Sequence, residues 1–238
     1  MESKGINNMK NLDIVSLFPD VLNDYINSMP FRKNFSHSIN IEVHQLRDFS
    51  KDKHKKVDDT QYGIEPGMVL MPEPLTNAVN YIRESRKSEN FTILLSPQGK
   101  LIDHKTLEKL FNMDNLTFIC GRYEGVDERF IEEKVDMELS VGDFVLSGGE
   151  LPALLLIEAL SRFTPGFLGN NESFENDSFS NNFQSKLKGP VYTKPRDFNG
   201  KKVPEVLLSG DHKKIIEWRE QISTDRTKKR RNDLINRT

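Results

Sequence analysis

Several residue types and segments are scarce or missing in this chain, and each absence narrows what it can be. Its 238 residues include one cysteine, so no disulfide can form within the chain and we expect a reducing compartment, the cytoplasm. No apolar run approaches the roughly 20 residues that a membrane-spanning helix needs. The first residues, MESKGINNMKN, lack the apolar segment of a secretory signal. These features predict a cytoplasmic protein with no membrane partner.

Familiar catalytic and cofactor motifs are missing as well. There is no G-x-G-x-x-G and no Walker A pattern, which argues against dinucleotide-binding and P-loop proteins. The five histidines have no Cys or His partners at the spacing of metal ligands, and no G-x-S-x-G turn indicates a serine hydrolase. Cys120 ends an apolar run and is expected to be a small buried residue rather than a nucleophile.

Charge is unevenly distributed along the chain, although the net charge is only −2. From Phe183 to Thr238 there are 15 basic and 7 acidic residues, whereas the rest of the chain holds 19 basic and 29 acidic residues. An acidic body with a basic tail is typical of a protein that contacts a polyanion. The alternative is a solvated helical tail without a partner.

Apolar runs alternate with amphipathic stretches over the first two thirds of the chain. They predict strands at 12–18, 39–46, 91–95, 116–120 and 137–141, and helices at 21–29, 75–89, 103–111, 126–134 and 151–163. Two more helices are predicted at 211–222 and 225–236. Strands alternating with helices predict an α/β domain with a mainly parallel sheet, whose ligands bind at the carboxyl ends of the strands.

Glycine-bearing loops follow three of these strands, after Leu95, Cys120 and Val141. Glycine lets backbone approach a ligand closely and adopt positive φ at little steric cost. The loops therefore suggest a pocket lined by main chain, and the alternative is a set of ordinary connections between strands and helices.

The sequence changes character around residue 164. The predicted helix 151–163 is apolar nearly all round, so it must be covered on every side, by the core or by a second subunit. Residues 164–182 are rich in Gly, Asn, Ser and Phe, and we interpret them as an interdomain loop that orders on binding, with a disordered linker as the alternative. The predicted domains are 1–163, the loop 164–182, and a basic, mainly helical domain at 183–238.

Seven stretches together resemble one known family. They are SLFPD (16–20), LLSPQGK (94–100), CGRYEGVDERF (120–130), SVGDFVLSGGELPALLLIEALSRFTPGFLG (140–169), ENDSF (175–179), PVYTKP (190–195) and VPEVLLSGDH (203–212). The order and spacing of these stretches resemble the bacterial tRNA (guanine-N1)-methyltransferase TrmD family, which modifies guanosine 37 of tRNA.

The resemblance implies properties that periodicity cannot supply. It implies a SPOUT-type α/β fold, with helices on both faces of a parallel sheet, a C-terminal trefoil knot and a small helical C-terminal domain that binds tRNA. It implies S-adenosylmethionine as the methyl donor, a homodimer whose active site is shared between subunits, and tRNA with guanosine at positions 36 and 37 as substrate. It also implies a dependence on magnesium, for which no carboxylate cluster in the sequence indicates a site.

The resemblance also assigns site residues. The cofactor-binding residues would be Leu95, Ser96, Pro97, Gln98, Gly99, Gly121, Arg122, Tyr123, Glu124, Gly125, Val141, Gly142, Phe144, Leu146, Gly148, Gly149 and Pro152. Asp177 would be the general base that takes the proton from guanine N1, and Arg162 would stabilise negative charge on O6. Glu124 would be the third catalytic residue, which helps to shape the pocket for the cofactor or the base. Without the resemblance, Asp177 would be interpreted as a surface or helix-capping aspartate.

The chain departs from the family pattern at a few positions. Ile64 and Glu65 stand where the family has glycines, Val191 where histidine is common, and Lys194 where arginine is common. Lysine cannot form the bidentate fork that arginine forms with phosphate, so local contacts to tRNA are expected to differ. Two other functions remain open: a SPOUT methyltransferase acting on a ribose 2′-hydroxyl, and a catalytically silent RNA-binding protein.

Overall fold

The computed structural model of the chain describes residues 9–28, 38–164, 167, 177–180 and 186–235. These residues fall into two compact units, divided between Phe167 and Leu168. Most of the predicted interdomain loop, including Phe174, lies outside the described residues.

The first unit is built on a five-stranded parallel sheet. Its elements are β1 Lys10–Ser16, α1 Pro19–Ser28, β2 Ile39–Gln45, β3 Asp58–Thr60, β4 Met68–Leu70, α2 Pro72–Arg86, β5 Phe91–Leu101, α3 His104–Phe111, β6 Asn115–Cys120, α4 Glu128–Lys134, β7 Met137–Ser140 and α5 Glu150–Ser161. The strand order in the sheet is β2-β1-β6-β5-β7, and each pairing is parallel. The predicted α/β class with a parallel sheet is confirmed.

Two apolar clusters cover the two faces of the sheet. Along β6, Phe118 and Cys120 point into the cluster that holds α5, whereas Ile119 points into the cluster that holds α2 and Phe130 of α4. This alternation follows from the two-residue period of a strand. Because both faces are covered, the central strands β5 and β6 carry mostly apolar runs, which is why they could be recognised in the sequence.

Two features of the first unit differ from the sequence-based prediction. Strand β5 was expected to end at Leu95, but it continues to Leu101, because Leu95 and Lys100 both lie opposite Leu139 and the residues between them form a bulge. The polar stretch before α2, which reads as a loop, contains the short antiparallel hairpin of β3 and β4.

The second unit contains short elements and one long helix. They are β8 Asp197–Phe198, β9 Lys201–Lys202, α6 Glu205–Leu208 and α7 His212–Arg230, followed by a 3₁₀ turn at Asn232–Leu234. The prediction of two helices with a break near residue 224 was wrong. Asp225 does not cap a new helix, since its carboxylate accepts a hydrogen bond from Gln221 one turn earlier (3.0 Å) and the helix continues.

No helix in the described part of the chain is long and apolar enough to cross a membrane.

A buried ionic cluster ties α2 to the edge of the sheet. Asp13 has no exposed surface; Arg86 donates Nε to its Oδ2 (2.9 Å) and Nη2 to its Oδ1 (2.7 Å), and His44 Nε2 lies 2.7 Å from Oδ1. Burial alone raises the pKa of Asp13, but the hydrogen bonds from His44 and Arg86 outweigh that effect and hold the pKa below its ordinary value. Glu42 adds a more exposed contact to Arg86 at 2.8 Å.

We expect Asp13→Asn to lower the free energy of unfolding by about 3 kcal/mol at neutral pH, because Arg86 would lose its buried counter-charge. Glu42→Gln is the matched control, with an expected loss of less than about 1 kcal/mol, since Glu42 is half exposed. Urea denaturation followed by circular dichroism measures both, and equal losses would contradict the assignment.

The effect of Asp13→Asn should also depend on pH. Because the folded pKa of Asp13 is depressed, its stabilisation is complete above the unfolded pKa of about 3.9 and is lost as the pH falls through the folded value. The difference between wild type and variant should therefore shrink on strong acidification.

Candidate active site

A cleft of about 320 Å³ lies at the carboxyl ends of β5, β6 and β7. Its walls are the bulge within β5 and the loops that follow β6 and β7, at the edge where ligands of parallel sheets bind. All the predicted cofactor-binding residues line it except Gly99 and Gly142. That they bind a cofactor stays a prediction, but the structure brings them to one place.

The two exceptions have steric explanations. A Cβ atom on Gly99 would lie 2.4 Å from the backbone nitrogen of Leu139, so Gly99 packs against β7 rather than facing the cleft. A Cβ atom on Gly142 would lie 2.3 Å from the ring of Phe144. Gly142 is held by Ser140, whose hydroxyl donates to its carbonyl (3.0 Å) and accepts from its N–H (3.2 Å).

The second loop, 121–125, is supported by a hairpin that the sequence did not connect with the site. Tyr123 and Gly125 have φ of 61° and 129°, which produces a sharp turn. The backbone N–H of Glu124 donates to Met68 of β4 (3.0 Å), and that of Leu70 donates to Gly125 (3.0 Å). The hairpin of β3 and β4 thus serves as a brace for the second wall.

Main-chain contacts join the second and third loops, and these contacts are called the seam below. The N–H of Gly149 donates to the carbonyl of Gly121 (3.0 Å), and Arg122 pairs with Gly148 in an antiparallel bridge. A Cβ atom on Gly149 would lie 2.6 Å from Cα of Cys120, so no side chain fits at this position.

A buried carboxylate also stabilises this seam through hydrogen bonds. Glu150, the first residue of α5, is 2 % exposed and accepts hydrogen bonds from Arg122 Nε (3.0 Å) and from the hydroxyl of Ser16 (2.7 Å). Arg122 also donates Nη1 to the carbonyl of Ser147 (3.0 Å), and its guanidinium lies 4.5 Å from the ring centroid of Phe18. Sequence reasoning did not identify Glu150, Ser16 or Phe18 as parts of this site.

Negative charge dominates the described lining of the cleft. Glu124, Glu128 and Glu138 line it, and Arg122 is the one cation among those lining residues. Because Glu150 lies 2.9 Å from Arg122 and offsets its charge, the cleft favours a ligand with positive charge. Burial raises the pKa of the Cys120 thiol well above its usual value, with a smaller contribution from Glu150, so Cys120 is a packing residue here.

Apolar side chains stand at the mouth of the cleft on the third loop. Phe144, Val145 and Leu146 line the cleft and are all exposed. Such side chains can cover the flat, apolar part of a ligand whose polar edge faces main chain. The residues that sequence reasoning missed in the lining are Leu94, Val126, Glu128, Ile131, Glu138, Leu139, Ser140, Val145 and Ser147. These residues lie on the strands and the helix next to the motifs. Their proximity in sequence to the predicted residues is the signal that could have identified them.

Of the three predicted catalytic residues, Glu124 lines the cleft, whereas Arg162 and Asp177 come from different units. Arg162 follows the last residue of α5, where its N–H donates to the carbonyl of Glu158 (3.4 Å). Asp177 belongs to a described turn of the second unit, where its Oδ1 lies 3.8 Å from Lys188 Nζ and its carbonyl accepts from Ser180 N–H (3.4 Å). Their catalytic roles stay predictions.

Within the described residues, one group of acids and histidines is compact enough for a metal ion, formed by Asp13, Glu42 and His44. Arg86 is bound to both carboxylates of this group. A cation already occupies the position that a metal would need, so the group is an ion-pair cluster, and no site for magnesium is assigned.

Comparison with known proteins identifies the family to which this chain is similar. The model of the family described as tRNA (Guanine-1)-methyltransferase TrmD matches residues 9–237. The chain belongs to this family. The predicted resemblance is therefore confirmed over nearly the whole sequence.

Curated relatives of the family are closely similar. A tRNA (guanine-N(1)-)-methyltransferase of Ruminiclostridium cellulolyticum is 45% identical over 226 residues, covering 94% of this chain and 96% of the relative. A protein of the same name from Clostridioides difficile is 45% identical over 228 residues, covering 94% and 97%. Another from Vibrio vulnificus is 45% identical over 226 residues, covering 93% and 88%.

We expect Gly149→Ala to destabilise the first unit by roughly 1–3 kcal/mol, since the added methyl group must displace backbone at the seam. Gly121→Ala is the matched control, because its Cβ atom would meet nothing closer than the Leu95 carbonyl oxygen at 3.5 Å. Chemical denaturation compares the two variants. Similar losses would show that the seam is less tightly packed than its geometry indicates.

Proposed function

We propose that this chain transfers a methyl group from S-adenosylmethionine to N1 of guanosine 37 in tRNA. The observation that carries the proposal is the three-walled cleft at the carboxyl ends of β5, β6 and β7, in a chain that belongs to the TrmD family. The relatives named tRNA (guanine-N(1)-)-methyltransferase support the reaction type. Position 37 and the tRNA set with guanosine at 36 and 37 rest on the sequence resemblance.

The cleft fits S-adenosylmethionine in shape and charge. Gly121 and Gly148 bring main chain to the lining of the cleft, which suits the edge of an adenine ring, and the side chains of Phe144 and Leu146 suit its faces. The carboxylates at the rim suit a ligand that carries a sulfonium and an ammonium group. When bound, S-adenosylmethionine supplies an electrophilic methyl group.

Protein side chains must handle the proton on guanine N1. Asp177 accepts this proton as the N1–H bond breaks, and the bonding electrons stay on the ring, where charge collects at O6. Arg162 stabilises that charge with its guanidinium. Glu124 lies over Gly67 at the inner edge of the hairpin and shapes the pocket for the base. The reacting edge is the one used in base pairing, so guanine must be unpaired or extruded to enter.

The proposal includes a homodimer and a trefoil knot. Leu151 and Leu155 of α5 are 62% and 51% exposed, one turn apart on one face of an otherwise buried helix. A second subunit packed against this face would cover them. The knot, the shared active site and a cytoplasmic location remain expectations based on the resemblance.

We expect Asp177→Asn to lower the rate of methyl transfer by roughly 10²–10⁴, the usual contribution of a general base. Single-turnover assays on tRNA with guanosine at 36 and 37, with the methylated atom mapped in the product, measure the effect. S-adenosylmethionine affinity should not change. A ribose 2′-O-methyl product would favour another SPOUT reaction instead.

Asp225→Asn provides the control for Asp177→Asn. Asp225 is an exposed carboxylate of the same unit whose described contact is the hydrogen bond from Gln221 on the surface of α7. Its substitution should leave the rate unchanged. An unimpaired Asp177→Asn enzyme would exclude Asp177 as the base.

The basic end of α7 is proposed to hold tRNA phosphates. Lys228, Lys229 and Arg230 are exposed in its last turn, whereas Arg231 is already bound to Asp233 through two hydrogen bonds of 2.9 and 2.8 Å. Replacing the first three by glutamine should reduce the slope of log affinity against log salt by about 2–3, because each phosphate contact contributes roughly 0.7–0.9.

A matched triple variant controls for lost positive charge in general. Lys51, Lys55 and Lys56 of the first unit each contact a carboxylate, at 3.1, 2.6 and 2.7 Å, so their replacement should hardly change the slope. Equal changes in both triple variants, or a parallel loss of S-adenosylmethionine affinity, would contradict the assignment to α7.

A further inference from the structure

Arg122 creates an electrostatic conflict at the cleft of the first unit, because its side chain lines the cleft and is positively charged. A sulfonium methyl donor is itself a cation, so an uncompensated arginine would repel it. Three acids line the described cleft, Glu124, Glu128 and Glu138. Glu124 and Glu128 are exposed, and water and salt screen charges in such positions. The compensation of Arg122 therefore requires a carboxylate that is nearer and less screened.

Glu150 meets both requirements. It is 2 % exposed and does not line the cleft, yet its Oε2 lies 3.0 Å from Nε and 2.9 Å from Nη2 of Arg122. Among the described residues it supplies the one carboxylate in ion-pair contact with this guanidinium. The contacts of Arg122 with the Phe18 ring and with the Ser147 carbonyl add no net charge. A single buried carboxylate outside the lining therefore balances the one cation within it.

The position of the Glu150 carboxylate is fixed at both oxygens. While Oε2 accepts from Arg122, Oε1 accepts from the hydroxyl of Ser16 (2.7 Å), and the oxygen of that hydroxyl accepts from the N–H of Phe18 (2.9 Å). Ser16 is 1% exposed, so this second attachment is also shielded from water. A charge held in this way acts on the cleft before any ligand enters, and no reorientation is needed when one does.

The electrostatic effect of the pair is seen at the end of β6. Burial is the main cause that raises the pKa of the Cys120 thiol, Glu150 raises this pKa further, and Arg122 lowers it to a smaller extent. The pair therefore disfavours a negative charge at this strand end. A positive charge beside the same strand end is favoured for the same reason.

We propose that Glu150 sets the preference of the cleft for the charged methyl donor over its uncharged product. S-adenosylmethionine and S-adenosylhomocysteine share their ammonium and carboxylate groups, and they differ in one methyl group and in the positive charge on sulfur. Without Glu150, the charge of Arg122 would penalise the donor but not the product. The inference rests on the proposed function, which supplies the ligand, and it assigns specificity to a residue that does not line the cleft.

The test is calorimetric titration of the full-length protein with S-adenosylmethionine and with S-adenosylhomocysteine. Glu150→Gln keeps the size of the side chain and removes its charge. It should lower the ratio of donor affinity to product affinity roughly threefold to tenfold, the size expected for one unit charge acting across a partly solvated cleft. An unreactive analogue with an ammonium group in place of the sulfonium should lose affinity as the donor does, because the effect depends on charge and not on the methyl group.

Two further variants complete a double-mutant cycle. Arg122→Gln leaves the negative charge of Glu150 without its partner and should change the ratio in the opposite direction, in favour of the donor. The double variant Arg122→Gln with Glu150→Gln removes both charges and should restore the wild-type ratio. Thermal unfolding without ligand checks that each variant is folded, and Arg122→Gln keeps the test decisive if Glu150→Gln does not fold.

Ser16→Ala is the matched control. It removes a hydrogen bond to the same carboxylate without changing any charge, so it should alter the two affinities by the same factor. A purely structural role of Glu150 would make Glu150→Gln behave like Ser16→Ala, with an unchanged ratio, and would overturn the proposal. A ratio that moves in the same direction in Glu150→Gln and Arg122→Gln would also overturn it.

Methyl transfer to tRNA by the unaltered protein is measured in parallel, so that the two proposals can be told apart. No transfer and no binding of either ligand would remove the proposed function and this inference with it. Normal transfer, with an affinity ratio that Glu150→Gln leaves unchanged, would remove the inference alone.

Discussion

The close passage of Gly149 over Cys120 and Gly121 is the constraint on which the candidate site depends. With an added Cβ atom only 2.6 Å from the Cα of Cys120, the third loop could not lie against the second. The hydrogen bond from Gly149 to Gly121 and the bridge between Arg122 and Gly148 exist because of that approach. The start of α5 is fixed by the same contact, since Glu150 follows directly and reaches back to Arg122.

Glu150 offsets the positive charge of Arg122, so this arginine can lie beside a cleft that favours cations. A buried carboxylate is costly unless its lone pairs are used, and here Ser16 and Arg122 use them. Arg122 in turn lies against Phe18 and the carbonyl of Ser147. Hydrogen bonds therefore join the end of β1, the second loop, the third loop and α5, and a ligand would meet walls that are already in place.

The sequence predicted the parts of this molecule that repeat a simple physical pattern. The five strands were predicted from their apolar runs and their alternation with helices, and the glycine loops marked the right edge of the sheet. What could not be read were long-range partners. The contact of Met68 with Glu124, and that of Ser16 with Glu150, join residues far apart in the chain. At α7 the local sequence led to a wrong prediction. Asp225 suits the start of a helix, but its carboxylate accepts a surface hydrogen bond from Gln221 within one longer helix.

The bulge in β5 has a consequence for how such a site can change. Leu95 and Lys100 lie opposite the same residue of β7, so residues 96–99 form a bulge whose two ends pair with the same strand. The pairing of β5 with β7 before and after the bulge does not depend on the side chains within the bulge. Gly99 is the exception, because it packs directly against Leu139. The first wall can therefore accept new side chains at Ser96, Pro97 and Gln98 without shifting a strand. Variation in the ligand-facing loop is in this way uncoupled from the folding of the sheet beneath it.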